Sequence, residues 1–432
     1  MKEYLAALPQ EIMSLIALAE KVSRQTGMPA YLVGGFPRDL ILGLENWDLD
    51  ITVDGDGIGF AEVLSRKLNS RLVRHERFGT ASLVSGCRLK IDVATIRKET
   101  YPFDASLPVV RKGSLKDDLF RRDFTINAMA IDLSAGGGRR LIDMFGGRDD
   151  LLARKIRIMH DRSFKDDPTR ILRAIRFQRR YGFRIEGRTL RLLKEAVGLG
   201  MLEKVHPHRM RDELALMFKE KDPAGQLSRL NCLCGLSFLS RRLRVSQETY
   251  RLFRSVGREL YRFMREYPFH GEFDSWVIYL AAILNLLEPS CEKQVIRKLG
   301  LSGKQEKNIL ACRRINRRLI TTLKDKRVKP AKVFKLLKPL SYEAVILLLS
   351  VSRDSRLRKN VSDFLGVYNS LQLCISGEDL CRLGVLPGPK YQEVLDKVFA
   401  ARLNGKVKNR QEEFALASRI LKTTRKGSIH YA

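Results

Sequence analysis

The chain has 432 residues with 80 Lys and Arg against 49 Asp and Glu, a formal net charge of +31. That length allows two to four domains, each with its own core, and a hydrophobic share of 44% excludes wholesale disorder. A small-metabolite enzyme has no need of such a basic excess; it fits a polyanion, nucleic acid ahead of a ribosome or membrane surface.

The first residues, MKEYLAALPQEIMSLIALAEK, carry acids inside an apolar pattern and predict an amphipathic helix, not a signal peptide. Up to about residue 150, short β-rich runs alternate with glycine turns. Strands are expected at Tyr31–Gly35, Leu49–Val53, Ala81–Val84, Leu89–Thr95 and Ala128–Leu133, with helices at Phe36–Leu42 and Gly59–Leu68. From Asp166 onward the apolar spacing is helical, as at Thr169–Tyr181, Thr189–Ala196, His208–Lys219 and Phe273–Leu287. The expected class is therefore α+β: an α/β head over 1–150, then helices only, as a neck (151–235), a body (236–328) and a tail (329–432). Periodicity breaks at NCLCGL near Gly235, and KPAKVFKLLKPL begins after Val328. No apolar run approaches a membrane span. The seven cysteines form no metal or disulfide framework, Cys232 and Cys234 being the one close pair, so free thiols in a reducing cytoplasm are expected.

Chemistry concentrates first in Leu32-Val33-Gly34-Gly35-Phe36-Pro37-Arg38-Asp39 and Trp47-Asp48-Leu49-Asp50-Ile51. A strand running into two glycines and a helix start lets backbone approach an anion, with Gly35 and Arg38 at hand; a plain strand–turn–helix corner reads the same way. Asp48 and Asp50, two apart on a strand, face one side. Two adjacent carboxylates repel without a cation, and hard oxygens converging on one point suit Mg²⁺, as one or two ions. Asp92, on a separate strand, is either a third ligand or a solvent-facing strand residue.

These motifs resemble the polymerase-β-like nucleotidyltransferase superfamily. Arg121–Ala130 (RRDFTINAMA), Asp143–Leu151 (DMFGGRDDL) and Asp166–Phe177 (DDPTRILRAIRF), in that order, more narrowly resemble the class II tRNA nucleotidyltransferase and poly(A) polymerase family. The resemblance implies a metal-dependent transferase using Mg²⁺ and ATP, with CTP as a further candidate, on tRNA; neither DNA nor a membrane is expected as partner, and oligomeric state is not legible. It implies catalytic and metal roles for Asp48 and Asp50, and nucleotide contacts for Arg122 and Asp123, a reading favoured over the alternative of a buried ion pair. Asp143 with Gly146-Gly147 reads as a structural turn, with Met144 where the family more often has proline.

Asp167 and Arg170 share one helix face and offer an acceptor and a donor fork. Adenine and cytosine present an amino donor beside a ring-nitrogen acceptor, whereas guanine and uracil reverse the order; the resemblance gives base selection to these two positions. Asp167 before Pro168 is also a plain helix cap. Arg173 and Arg176 continue the spacing toward the triphosphate, or form a solvated basic face. Arg97–Lys112 is long enough to be a flexible loop that CC-only relatives shorten, and the surrounding stretches resemble enzymes that add only the terminal A. Basic clusters at Arg313–Arg318 and Lys326–Lys338, and a turn spanning Ile375–Leu380 and Gly384–Lys390, are candidate RNA contacts. A poly(A) polymerase and a non-catalytic RNA-binding protein are the rival readings.

Overall fold

The computed structural model describes residues 2–45, 48–76, 79–84, 90–134, 138–267, 272–383 and 388–426. Trp47, Leu89 and residues 384–387, all part of expected motifs or strands, lie outside them. The described chain divides into two compact units, Met1–Arg241 and Arg242–Ala432, close to the break expected at Gly235.

In the first unit, strands β1 (Ala30–Val33), β2 (Asp48–Val53), β3 (Arg71–His75), β4 (Thr80–Val84), β5 (Lys90–Thr95), β6 (Arg97–Thr100), β7 (Val109–Lys112), β8 (Met129–Asp132) and β9 (Leu141–Asp143) build the head. Seven of them form one mixed sheet in the order β3-β4-β5-β2-β1-β8-β9. Period-two alternation assigns its two faces. Leu32, Leu49, Ile51, Val53, Ile91 and Val93 point to a core closed by the helices Gln10–Thr26 and Gly57–Leu68. The opposite face therefore receives Val33, Asp48, Asp50 and Asp92.

Four of these head strands were not anticipated, nor were the two-residue strands Lys155–Ile156 and Arg184–Ile185, which pair parallel in the part expected to be helical only. Arg71–His75 is an edge strand whose charged residues are exposed, a common device against edge pairing. Arg97–Thr100 and Val109–Lys112 pair antiparallel, Arg97 opposite Lys112, so the expected flexible loop is in part a β-ribbon. Leu141–Asp143 is simply short.

The expected break at residue 150 is not a gap in packing. Phe124 bridges to Ile158, and the helix Thr169–Tyr181, ended by Gly182 at φ +66°, lays Phe177 edge-on against Phe124. The second unit has helices and no strand among its described residues. Ser246 and Thr249 cap the helix Gln247–Glu266 reciprocally, and its apolar side packs on Ser275–Leu284 and Tyr342–Val351. One core runs from Leu319 to Phe364 and takes in Val328, so no core boundary falls there; a second gathers Ile375, Leu380, Val394, Val398 and Ala417. No helix among the described residues is long and apolar enough to cross a membrane.

Candidate active site

Asp50 stands opposite Val33 on β1 and level with Asp92 on the parallel neighbour β5. Gly34 makes this corner possible. Its φ is +74°, and a Cβ there would stand 2.9 Å from Asp50 Oδ2 and 3.1 Å from Arg122 Nη1. Burial raises the Asp50 carboxyl above the usual range; Asp92 and Asp48 add to this, while Arg122 and Lys90 oppose it. A desolvated carboxylate among like charges is the donor set a hard divalent cation satisfies. Asp92 accepts from Ser82 Oγ at 2.5 Å and Lys90 Nζ at 2.6 Å, one hydrogen bond on each oxygen. Among the described residues no three His, Cys, Asp or Glu side chains gather as a metal site. Asp48 and Asp50 thus fit a cation that completes its shell with water and substrate phosphates.

Asp48 and Asp50 open onto a cleft of about 1130 Å³ whose walls also carry every expected nucleotide contact: Gly35, Arg38, Arg122, Asp123, Asp167, Arg170, Arg173 and Arg176. Most of these arginines already have partners. Arg38 grips Asp39 with Nε and Nη2, both at 2.8 Å, and gives Nη1 to Asn127 at 2.5 Å. Its guanidinium lies over Tyr181 and Phe177. Asp123 does not hold its neighbour Arg122. It accepts from Phe124 N (2.9 Å), Asn127 Nδ2 (2.8 Å) and Arg173 Nε (2.7 Å). Arg122 pairs instead with Asp118, one helical turn back, at 3.0 Å, and its buried Nε has no hydrogen-bond partner among the described residues. That orphaned donor is the one a phosphate would satisfy. Arg173 reaches on to Glu213 at 3.0 Å, and Arg176 sits between Glu213 and Glu220 at 3.5 Å each.

Asp167 caps the neck helix, as its plain reading has it: Oδ1 accepts from Thr169 N at 3.1 Å and Thr169 Oγ1 at 2.6 Å. Its other oxygen accepts from Arg209 Nη2 at 2.6 Å. Arg170 stands off at 3.9 Å, its guanidinium given to Ser163 Oγ (2.6 Å) and the Arg121 carbonyl (2.7 Å). Sequence reasoning placed neither Arg209 nor Glu213 in the site, although their four-residue spacing on the helix Pro207–Phe218 was the available signal.

The β-ribbon enters the same cleft. Tyr101 donates to Glu99 at 3.2 Å, and Glu99 accepts from Arg121 at 3.2 Å. Arg121 also donates to Asp118, which holds Arg122. The ribbon's far end is tied down by Asp104 to Arg162 at 3.0 Å and Ala105 N to the Lys165 carbonyl at 2.8 Å. Asp143 forms the structural turn expected of it, accepting from Gly147 N and Arg148 N.

Residues 30–157 match the poly A polymerase head domain. The chain is 36% identical, over 96% of its length, to an A-adding tRNA nucleotidyltransferase of Geobacter sulfurreducens, and spans about half (47%) of that relative. It is 30% identical, over 95% of its length, to an A-adding tRNA nucleotidyltransferase of Halalkalibacterium halodurans and covers 93% of it. The chain belongs to the tRNA nucleotidyltransferase family. Among solved members, a Thermotoga maritima CCA-adding enzyme complexed with tRNA matches at a TM-score of 0.72 and 33% identity, over 97% of this chain and 98% of that one.

The second unit carries a feature that the family resemblance did not single out. On the helix Gln247–Glu266, Arg251, Arg254, Arg258, Arg262 and Arg265 are exposed and fall within about 80° of arc, rising about 21 Å along the axis. The acid amid them, Glu259, is buried and held by both nitrogens of Arg358 at 2.8 and 2.9 Å. Arg251, Arg254 and Arg258 make no ion pair among the described residues. Arg313, from the cluster expected to track phosphates, is turned inward to Glu292 and the Leu287 carbonyl. In the described part of the expected tail turn, Ser376 and Asp379 form an ordinary capping box.

Proposed function

We propose that this protein adds the terminal adenosine to the 3′ end of tRNA, in the cytoplasm. The 3′-hydroxyl of an acceptor ending in CC attacks the α-phosphate of ATP, a new P–O bond forms, the α–β bridge breaks, and pyrophosphate leaves. The observation that carries this reading is the single cleft in which the Asp48–Asp50 pair faces the Asp167 carboxylate across a wall of arginines. The A-adding names of both curated relatives support the choice of adenosine.

Asp48 and Asp50 would hold Mg²⁺, which when bound neutralises triphosphate charge and activates the attacking hydroxyl. Arg122 offers its unspent Nε to a phosphate oxygen. Arg38, Asp123, Asn127 and Arg173 form a buried network that fixes the cleft floor, so its dipoles need no reorganisation as charge moves to the leaving group. Asp167 accepts from the exocyclic amino group of the base, a pattern that favours adenine and cytosine.

The test offers tRNA ending before CCA, after one C and after CC, with each nucleotide alone and in mixture. Addition of one A to the CC-ended tRNA only is expected, and its loss in Asp48→Ala and Asp50→Ala with tRNA binding kept. Extension of all three acceptors would make the protein a CCA-adding member, as the Thermotoga neighbour is. Long A tails would make it a poly(A) polymerase.

A further inference from the structure

We infer that Tyr181, the last residue of the neck helix, is a positioning residue for the transfer reaction: its ring holds the plane of Arg38 so that Arg38 can meet the triphosphate. This rests on the transferase reading above and names a residue behind the cleft wall that serves it.

Arg38 works from a buried position. Its side chain is 6% exposed yet lines the cleft. Of the five N–H groups on a guanidinium, Nε–H and one on Nη2 go to Asp39, and one on Nη1 goes to Asn127. One N–H on each terminal nitrogen is left over. Such a pair of donors suits phosphate oxygens only if the plane that carries them is fixed. A further carboxylate or amide could fix it, but would consume the donors that the phosphate needs. An aromatic face attracts the cation through the ring quadrupole and takes no N–H.

Tyr181 supplies that face. The Arg38 guanidinium carbon lies 4.9 Å from its ring centre, closer than the 5.3 Å to Phe177. The Tyr181 hydroxyl donates to Asp39 Oδ1 at 3.2 Å, the same oxygen that accepts from Arg38 Nε. Burial pushes that hydroxyl up to about 12 against the pull of Arg38, so it stays a donor at neutral pH. One side chain thus touches both members of the Arg38–Asp39 pair, the cation with its ring and the anion with its hydroxyl. The ring is itself fixed. Phe177 stacks beside it at 5.8 Å, Phe183 stands at 5.5 Å, and Gly182, at φ +66°, ends the helix immediately after. Tyr181 is not one of the residues lining the cleft, so its effect on the nucleotide passes through the arginines on its ring. Arg180 is the other, at 5.4 Å, but its side chain is 42% exposed and gains less from a ring face. Phe177 cannot be separated in this way, because it also carries Arg173 and Arg176. Tyr181 comes from the neck and Asp39 from the head, 142 residues apart, so the phosphate corner of the head is set in part by where the neck helix stops.

The test measures ATP affinity with Mg²⁺ present, kcat/KM for ATP on CC-ended tRNA, and tRNA affinity as the check on folding. Tyr181→Leu should weaken ATP by about tenfold and leave tRNA affinity near wild type. Tyr181→Phe, which keeps the ring, should recover most of that loss. Phenylalanine bearing one, two or three ring fluorines at this position keeps the shape and drains charge from the face. ATP affinity should then fall stepwise, by about threefold or more in all, and this series decides the matter even if Tyr181→Leu fails to fold. In an Arg38→Gln background Tyr181→Leu should cost nothing further, because its effect runs through Arg38. A residue that only packs would give a flat fluorine series and the same loss with or without Arg38; either result overturns the inference. So does a Tyr181→Phe variant as impaired as Tyr181→Leu. Absence of transfer in the wild type would sink the transferase reading, whereas the ATP affinities would still decide the role of Tyr181.

Discussion

Replacing Asp123 by Asn should loosen the joint between head and neck, and the structure sets the scale. Asp123 is buried, and the Arg173 guanidinium with Asn127 overcomes burial to pull its carboxyl down to about 2 from an ordinary 3.8. A drop of that size corresponds to about 2–3 kcal/mol favouring the charged, paired form. An amide keeps the shape, but whichever way it turns it sets an N–H against a donor of Arg173 or of Asn127 and Phe124. Hydrogen exchange of amides in Thr169–Tyr181 and Phe124–Asp132 should then speed up by a factor on the order of 10² at pH 7. The pH dependence has a definite sign. A depressed carboxyl contributes fully above its unfolded value near 4, and the contribution is lost as pH falls toward about 2. The gap between wild type and Asp123→Asn should therefore narrow across that window and close below it. Unchanged protection at pH 7, or a gap that persists undiminished at pH 2, would refute the reasoning.

Two further outcomes follow from the geometry. Gly34→Ala should cost most of the transfer activity while leaving tRNA affinity near wild type, because the new Cβ would press on Asp50 Oδ2 and Arg122 Nη1 from a left-handed backbone; wild-type kcat would remove the argument for close approach. Arg251→Ala with Arg254→Ala and Arg258→Ala should flatten the log–log salt dependence of tRNA affinity by about 2–3 units with kcat at saturating tRNA retained; an unchanged slope would assign the row to solvent.

The carboxylate side of the cleft was legible because strand periodicity alone sends Asp48 and Asp50 to one face. The neck helix Thr169–Tyr181 was legible to the residue, as its apolar spacing is strong and Gly182 stops it. Pairing was not. Adjacency suggested Asp123 for Arg122, whereas helical geometry delivers Asp118, four residues back, and tertiary packing brings Arg173 to Asp123 from 50 residues away. The i, i+3 rule likewise put Arg170 on Asp167, but helix spacing says nothing of a third segment, and Arg209 arrives from another helix. The ribbon strands Arg97–Thr100 and Val109–Lys112 escaped notice because RKET and VVRK lack clean alternation and are stabilised by each other rather than by a buried face. The arginine row was visible as letters, yet only the structure shows that Glu259 is buried and that Arg251, Arg254 and Arg258 make no ion pair among the described residues, whereas Arg262 and Arg265 lie near Glu259 and Glu266. Such uncompensated like charges one turn apart each cost a helix about 0.2–0.5 kcal/mol, which a polyanion would return.

The joint at Asp123 also bears on the order in which the protein is made. Asp48 and Asp50 leave the ribosome early, but the guanidinium that holds Asp123 belongs to residue 173, and the carboxylate that holds that guanidinium belongs to residue 213. Synthesis proceeds from the N-terminus at about 5–20 residues per second, so roughly ten or more seconds separate Asp48 from the last of these supports. Through that interval the nascent head has its carboxylates without a finished floor beneath them. The cleft floor is thus completed only once the neck has emerged, so its geometry ties the finished site to nearly the first half of the chain.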